Sequence, residues 1–174
     1  MQRSPIITWQ LHTSNLEFCG DLFVLMPEQE TSERAREDAR EGKSPSTQAG
    51  EFVREEMEHI REGKHGARSA KQAIAIGLSK ARRAGVQLPP PKKGTTSRRT
   101  RKQAKRDIAK GSRGSKRPSP KRSRAVKDAL KREGHSAASH RALSRQAHSA
   151  AQRRSASDRS RAAKKAARTR KRNR

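Results

Sequence analysis

The fold is decided by one stretch of the chain, residues 44–91, which reads SPSTQAGEFVREEMEHIREGKHGARSAKQAIAIGLSKARRAGVQLPPP. The Ser-Pro pair at its start supplies a turn and a helix cap, and the apolar residues that follow recur at helical spacing. Gly63 suits the end of this first helix, because glycine readily adopts the left-handed conformation that often follows a helix. These features predict an amphipathic helix that ends at Gly63.

A second helix is predicted after a short connection. Ser69 can cap it, its apolar residues again recur at helical spacing, and Gly85 lies where a C-cap glycine belongs. The triple proline that ends the stretch cannot continue a helix. Residues 47–88 therefore predict an antiparallel helical hairpin, the one candidate for a folded unit. Its core, or a surface for self-association, is predicted to comprise Phe52, Val53, Met57, Ile60, Ile74, Ile76 and Leu78.

So small a hairpin raises the question of what stabilises it. Units below roughly 40 residues usually need a staple, a metal or self-association. The sequence offers no second cysteine for a staple. We therefore hypothesise a homodimer that associates through Phe52 and Ile76.

The segment before the hairpin divides into two parts. Residues 1–25 contain the only Trp, the only Cys and two of the three Phe, and the composition then changes at Met26. We predict that the native chain starts at Met26; the alternative is that residues 1–25 form a short apolar arm that docks on a partner. Residues 26–46 carry charges of both signs and no apolar stripe, which predicts a solvated, frayed helix or a tail.

The tail, residues 89–174, is a series of short basic segments that contain alanine and are interrupted by proline and glycine. High net charge with few large apolar residues is typical of chains that cannot bury enough surface to fold. We predict a largely disordered tail, or a loosely helical one whose segments become helical once phosphates remove the charge repulsion. The predicted fold class is thus mostly α, a short helical hairpin followed by this tail.

Two short motifs stand out in the basic half. Ser119-Pro120-Lys121-Arg122 resembles the Ser-Pro-basic-basic turns of linker-histone tails, which present two cations to a minor groove; an ordinary linker turn explains the single copy equally well. The sequence Arg-Glu-Gly-His at 132–135 resembles Arg-Glu-Gly-Lys-His at 61–65. Each lies between two predicted helices, so we hypothesise an internal duplication.

Charge is divided unevenly along the chain. Residues 1–66 hold 8 Lys/Arg against 13 Asp/Glu, a net charge of −5, whereas residues 67–174 hold 36 against 4, a net charge of +32. So dense a positive charge predicts a polyanionic partner. No Phe, Trp or Tyr occurs from residue 67 onward. Because single-strand binders and sequence-specific RNA modules usually stack bases on aromatic side chains, the pattern favours contacts to the phosphate backbone of double-stranded DNA.

Other classes of function receive little support. No histidine is paired with a cysteine at ligand spacing, since Cys19 is the only cysteine, and no catalytic constellation lies on a foldable scaffold. We predict no metal site, no cofactor and no enzyme activity, because catalysis needs a rigid pocket. No apolar run is long enough to span a membrane. The histidines are interpreted as exposed helix-end and linker residues: His12, His59, His65, His135, His140 and His148.

The hairpin sequence also resembles a known family. The resemblance rests on KSPSTQAGEFVR at 43–54, GKHGARS at 63–69 and KQAIAIGLSKARRAG at 71–85. These blocks are similar to a family of small, basic bacterial proteins of uncharacterised function, many of which are labelled histone-like or DNA-binding on composition. The resemblance covers residues 26–94 closely and the tail loosely. It implies a bacterial cytosolic protein and assigns no catalytic residues.

The predicted function is that of a histone-like nucleic-acid-binding protein with little sequence preference, cytoplasmic and nucleoid-associated. Two alternatives stay open: an RNA- or ribosome-associated basic protein, and a protein-interaction module in which the hairpin binds a partner and the tail localises it. The predicted nucleic-acid contacts are Lys71, Lys80, Arg82, Arg83, Lys92, Lys93, Arg98, Arg99, Arg101, Lys102, Lys105, Arg106, Lys121, Arg122, Arg153, Arg154, Lys164, Lys165, Arg168, Arg170, Lys171 and Arg172.

Overall fold

The computed structural model describes residues 28–114 and 119–172, and within these ranges it contains helices and connecting segments but no strand. The prediction of a mostly α fold is therefore confirmed. Residues 1–25 and the predicted start at Met26 lie outside the described part of the chain. The helices of the described ranges are α1 (Gln29–Arg40), α2 (Pro45–Arg61), α3 (Ala70–Arg83), α4 (Arg98–Arg113), α5 (Pro120–Lys131), α6 (His140–Gln152) and α7 (Ala156–Arg172), and a 3₁₀ turn (Ser136–Ala138) precedes α6.

The predicted hairpin is present as α2 and α3, which pack along each other. Ser69 caps α3, since its Oγ accepts a hydrogen bond from the Gln72 amide nitrogen at 3.2 Å. Gly63 and Gly85 follow α2 and α3 with φ angles of +78° and +96°, the left-handed conformation predicted for these positions. The cap residues read from the sequence therefore set where the hairpin turns and where it ends.

The two helices approach each other closely at Gly77 of α3. A Cβ atom on this residue would lie 2.8 Å from the Val53 Cα and 2.9 Å from the Phe52 carbonyl oxygen, both backbone atoms of α2. A side chain at Gly77 therefore requires the two helices to separate. Glycine inside a helix costs about 1 kcal/mol relative to alanine, and here that cost permits the close packing.

One apolar cluster lies where α1 packs on the hairpin. Its buried members are Ala35, Ala49, Phe52, Ala81 and Val86, with Leu78 and Leu88 packed against them. The expectation that residues 26–46 form a solvated, frayed segment is wrong for α1, because the small Ala35 and the buried Thr31 allow that helix to lie close to α2. An ion pair between Arg34 Nε and Glu51 Oε2, 3.0 Å apart, further joins α1 to α2.

A second apolar cluster lies at the end of the hairpin where α2 leads into α3. Part of this cluster comes from the tail, through the 3₁₀ turn and α6. The hairpin core is thus completed by residues more than sixty positions further along the chain. The buried members are Met57, Ile60, Ala67, Ala73, Ala137 and Ala138, with Val53, Ile74 and Leu143 packed against them.

The structure corrects the predicted self-association surface. Phe52 is only 1% exposed and packs in the first cluster, beneath α1. Ile76 is partly exposed and belongs to neither cluster. The hypothesis of a homodimer through Phe52 and Ile76 is therefore wrong for Phe52, because α1 already covers the ring that was to form the interface.

The basic tail is helical, and much of it packs on the hairpin. α4 packs on α3, and the 3₁₀ turn and α6 both contact α3. Small residues allow this: Ala104 of α4 and Ala138 of the 3₁₀ turn are 3% and 0% exposed. The prediction of a largely disordered tail is therefore wrong for these elements, since narrow alanine seams suffice when they lie against an existing surface. α7 differs, because all of its described side chains are exposed.

The Ser-Pro-basic-basic motif begins a helix. Ser119 is the N-cap of α5, and its Oγ accepts a hydrogen bond from the Arg122 amide nitrogen at 3.4 Å. Pro120 occupies the first turn, where its missing N–H is not needed. The motif is thus a helix cap in this structure.

The residues that directly follow the first Arg-Glu-Gly segment lie against the second one. The Gly66 amide nitrogen donates to the carbonyl oxygen of Leu130, and the Ala67 amide nitrogen donates to that of Gly134, each at 3.0 Å. These hydrogen bonds attach the loop of the hairpin to the loop that joins α5 to the 3₁₀ turn. The sequence similarity therefore coincides with a contact in space.

Candidate functional site

Positive charge remains on the surface after the tail folds. Helix α4 illustrates the reason, because its 3.6-residue period directs Ala104 and Asp107 inward and most of its basic side chains outward. The side chain of Arg172 lies outside the described part of the structure. The following predicted contacts are exposed: Lys71, Lys92, Lys93, Arg98, Arg99, Lys102, Lys105, Arg106, Lys121, Arg122, Arg153, Arg154, Lys164, Lys165, Arg168, Arg170 and Lys171.

A groove of about 820 Å³ lies between α3, α4 and the segment that precedes α4. Apolar side chains such as Ile74 and Leu78 form part of its wall. Four predicted contacts line it together, although they are distant in sequence: Lys71, Arg82, Arg99 and Arg153.

Two helix N-termini also open onto this groove. Ser69 and Ser97, the N-caps of α3 and α4, both line it. The Ser97 Oγ accepts a hydrogen bond from the Thr100 amide nitrogen at 3.1 Å, which leaves other first-turn N–H groups of α4 without intrahelical partners. Because the N-terminus of a helix carries partial positive charge, two such ends beside three exposed cations suit an anionic group such as a phosphate.

The structure removes two residues from the predicted nucleic-acid contacts. Lys80 is fully buried, and Arg82 is only 7% exposed. The Arg82 guanidinium donates hydrogen bonds to the carbonyl oxygens of Leu88 and Pro89, at 3.3 and 3.4 Å, and its burial lowers its pKa. The prediction is therefore wrong for Lys80 and Arg82, because Lys80 lies inside the hairpin and the Arg82 side chain is bonded to the segment that follows α3.

Two further predicted contacts, Arg83 and Arg101, lie between the exposed and the buried groups. Both are partly buried. Arg83 donates from Nε to the Ser79 carbonyl oxygen at 3.1 Å, and the same atom lies 3.9 Å from Asp107 Oδ1. Arg83 thus contributes to the packing of α3 against α4 as well as to the basic surface.

A group of charged and titratable side chains is buried inside the hairpin. We call it the buried charge cluster; its members are Glu55, Glu56, His59, His65 and Lys80, none more than 2% exposed. Lys80 Nζ lies 3.0 Å from Glu55 Oε1 and 2.9 Å from Glu56 Oε2. Taking charges out of water costs several kcal/mol for each ion, and the ammonium group of Lys80 offsets part of that cost for the two carboxylates.

The two histidines extend this cluster toward α1. His59 Nε2 lies 2.8 Å from Glu28 Oε1, and the hydrogen bond from His59 lowers the pKa of the Glu28 carboxyl. His65 Nε2 lies 3.5 Å from Glu56 Oε1, while His65 Nδ1 is 3.1 Å from the Gly66 carbonyl oxygen. The rings of His59 and His65 meet edge to face, with centroids 6.1 Å apart.

The interpretation of all histidines as exposed is therefore wrong for His59 and His65. The prediction from the sequence missed this cluster because it required a histidine ligand to be paired with a cysteine. A signal was present, since Glu56 and His59 are three residues apart on one helix and so share a face. What the sequence did not show is that the turn after α2 returns His65 to that face. Of the other histidines, His12 lies outside the described residues, and three are exposed: His135, His140 and His148.

The described ranges contain no helix that is both long enough and apolar enough to cross a lipid bilayer.

Residues 40–93 match the model of a family of unknown function, DUF6496. The matched stretch contains α2, α3 and most of the segment that leads to α4, and it lies within the stretch for which the sequence predicted a family resemblance. Comparison with curated proteins and comparison with solved structures gave no match. The hairpin is therefore similar to that family, and the similarity assigns no activity.

Proposed function

We propose that this protein binds double-stranded DNA through the phosphate backbone, with little dependence on base sequence. The observation that supports the proposal is the positive charge that stays exposed after folding. The fold buries Lys80 and Arg82 but leaves most basic side chains of α4 and the described ones of α7 in contact with solvent. Cations that neutralise DNA phosphates release condensed counterions, which favours binding.

The chemistry of this surface favours phosphate contacts over base contacts. From residue 67 onward the chain has no Phe, Trp or Tyr on which a base could stack. Lysine and arginine contacts to phosphate oxygens position a protein on the duplex without reading its sequence. We therefore expect affinity to depend on the number of exposed cations and only weakly on base composition.

The groove and the exposed helices contribute in different ways to this proposal. Lys71 and Arg99 lie on helices packed against each other, so the backbone positions that carry them are set before binding. Preorganised charges lose less conformational entropy when they bind than mobile ones do. We expect the groove to hold one phosphate, and α4 and α7 to add contacts along the backbone.

The test is the salt dependence of binding to a DNA duplex. If about ten cations contact phosphate, affinity falls roughly 10³- to 10⁵-fold between about 50 and 200 mM salt. Measurement by fluorescence anisotropy at several salt concentrations gives the slope directly. An affinity that does not change with salt contradicts the proposal.

A competition experiment tests whether the protein prefers DNA or RNA. Duplex DNA and structured RNA compete at fixed salt for the full chain, and we expect the duplex to compete at least as well. We also propose that the protein associates with the nucleoid in the cytoplasm, which follows from DNA binding. Cross-linking in cells is expected to recover DNA without sequence enrichment. Recovery of ribosomal RNA in its place would favour the RNA alternative.

A further inference from the structure

The buried charge cluster contains three side chains that converge as metal ligands do. Glu56, His59 and His65 each offer one ligand atom, and these atoms all lie within 4.8 Å of one another. None of the three side chains is more than 2% exposed. We propose that Glu56, His59 and His65 bind one divalent transition-metal ion, Zn²⁺ in the first instance.

The geometry of one ligand pair fits such an ion. Zn²⁺ binds imidazole nitrogens and carboxylate oxygens at about 2.0–2.2 Å, so two ligand atoms at tetrahedral positions are about 3.3–3.6 Å apart. His65 Nε2 and Glu56 Oε1 are 3.5 Å apart. The His59 ligand atom needs only a small movement to complete the set, because no separation exceeds 4.8 Å.

The polar atoms of this pair need a partner. Both His65 Nε2 and Glu56 Oε1 are fully buried and have no hydrogen-bond partner in the structure. A buried polar atom without a partner loses its hydrogen bonds to water and gains none in return, so native proteins rarely retain one. The second Glu56 oxygen is directed to Lys80, which leaves Oε1 available to a metal.

The charge of the site favours a dication. Glu55 and Glu56 against Lys80 leave a net charge of −1 inside the hairpin when the imidazoles are neutral, and Glu28 beside His59 makes it −2. Lys64 also approaches Glu28, at 3.4 Å. Its positive charge is neutralised by Glu62, 3.0 Å away, and the side chains of Lys64 and Glu62 are both about half exposed. One divalent ion therefore neutralises the site.

Glu28 has a definite place in this arrangement. Metal-bound histidines usually donate their second ring N–H to a carboxylate, which fixes the orientation of the ring. The contact of 2.8 Å between His59 Nε2 and Glu28 Oε1 supplies such a carboxylate if His59 binds through Nδ1.

The donor set also selects the class of metal. Two imidazoles with one carboxylate suit Zn²⁺ and its first-row neighbours, whereas Ca²⁺ and Mg²⁺ prefer sites made of oxygen atoms. The ligands join the C-terminal half of α2 to the loop before α3. A bound ion would therefore stabilise the hairpin at the end that contacts the tail.

The experiment uses the full chain, stripped of metal by a chelator, with Cys19→Ser as background to remove the thiol. Zn²⁺ affinity is measured by competition with a coloured chelator, and Co²⁺ serves as a spectroscopic probe. We expect one tight Zn²⁺ site per chain, visible Co²⁺ bands typical of tetrahedral nitrogen and oxygen ligands, and a higher melting temperature with Zn²⁺.

Matched variants separate this site from accidental binding. His59→Gln and His65→Gln should each weaken Zn²⁺ binding by more than the roughly 10- to 100-fold that loss of an outer-shell partner costs. His135→Gln is the control, because His135 is exposed and follows a similar Arg-Glu-Gly sequence; it should leave the affinity unchanged.

Two results would overturn the proposal. One is Zn²⁺ affinity that is the same in the background chain, His59→Gln and His65→Gln, which would mean that exposed histidines bind the ion. The other is an absence of tetrahedral Co²⁺ bands in the folded background chain. The second result needs no variant, so it decides the question even if both substitutions prevent folding.

Discussion

Lys80 Nζ lies 2.9 Å from Glu56 Oε2 inside the hairpin, and the side chains of both residues are fully buried. In the sequence Lys80 belongs to a basic run with Arg82 and Arg83, which resembles a nucleic-acid contact. In the structure its ammonium group offsets part of the free-energy cost of burying two carboxylates. Residue type and local sequence therefore do not distinguish the two roles; burial does.

The first prediction concerns the stability that depends on Lys80. Lys80→Ala leaves Glu55 and Glu56 buried without their cation, so the free energy of unfolding should fall by about 3–5 kcal/mol. Chemical denaturation followed by circular dichroism measures the change. Lys71→Ala is the control, because Lys71 is exposed, and it should alter stability by no more than about 0.5 kcal/mol. Equal effects of the two substitutions would contradict the burial of Lys80.

The second prediction tests the close approach of α2 and α3. In Gly77→Ala the new Cβ meets the backbone of Val53 and Phe52, so the helices must separate and stability should fall by about 1–3 kcal/mol despite the higher helix propensity of alanine. Gly50→Ala is the matched control, since Gly50 is exposed in α2 with no atom within 4 Å of a Cβ. That control should raise stability by up to about 1 kcal/mol. Thermal and denaturant unfolding of both variants measures whether each substitution lowers or raises the stability.

The third prediction concerns the contact between the two similar loops. A Cβ on Gly66 would lie 1.9 Å from the Glu133 carbonyl oxygen, so Gly66→Ala should displace the loop after α5 and lower stability by about 1–3 kcal/mol. Hydrogen exchange should become faster at the Ala67 amide, which loses its acceptor. Gly134→Ala has no atom within 4 Å of the new Cβ and should preserve that protection. Unchanged exchange at Ala67 in Gly66→Ala would argue against the contact.

The fourth prediction tests the groove as a phosphate site. Replacing Lys71 and Arg99 by alanine should lower the slope of log affinity against log salt by about 0.9, because that is the contribution of the one phosphate that the groove is expected to hold. Replacing Arg36 and Arg40 removes the same charge from exposed positions on α1, away from the groove, and should leave the slope unchanged. Duplex titrations at several salt concentrations compare the two variants. Equal slopes for both would assign no phosphate contact to the groove.

Capping residues and apolar periodicity in the sequence were sufficient to predict the helices of the hairpin. Ser69 and the glycines at 63 and 85 act through hydrogen bonds and φ angles within a few residues, so their effects can be read without knowledge of the rest of the chain. The positions of α4 to α7 also follow the alanine-containing basic segments of the tail. Helix position was predictable because capping and periodicity are local.

The packing of those helices was not predictable in the same way. Ala35, Ala104 and Ala138 are each too small to form a visible apolar stripe, yet each is almost fully buried against the hairpin. Composition alone suggested a chain unable to form a core. Alanine contributes little buried area by itself, and only the close approach of two backbones makes it part of a core.

The sequence by itself determined the helical class, the caps of the hairpin and the division of charge, because each depends on residue type or on neighbours a few positions away. The tertiary structure alone decided which charges face solvent and which lie inside. It buried Lys80 with Glu55 and Glu56, brought His65 beside Glu56, and gathered Lys71, Arg99 and Arg153 around one groove. These arrangements join residues distant in the chain, and the free energy of a charge depends on its burial and its partners, which only the fold supplies.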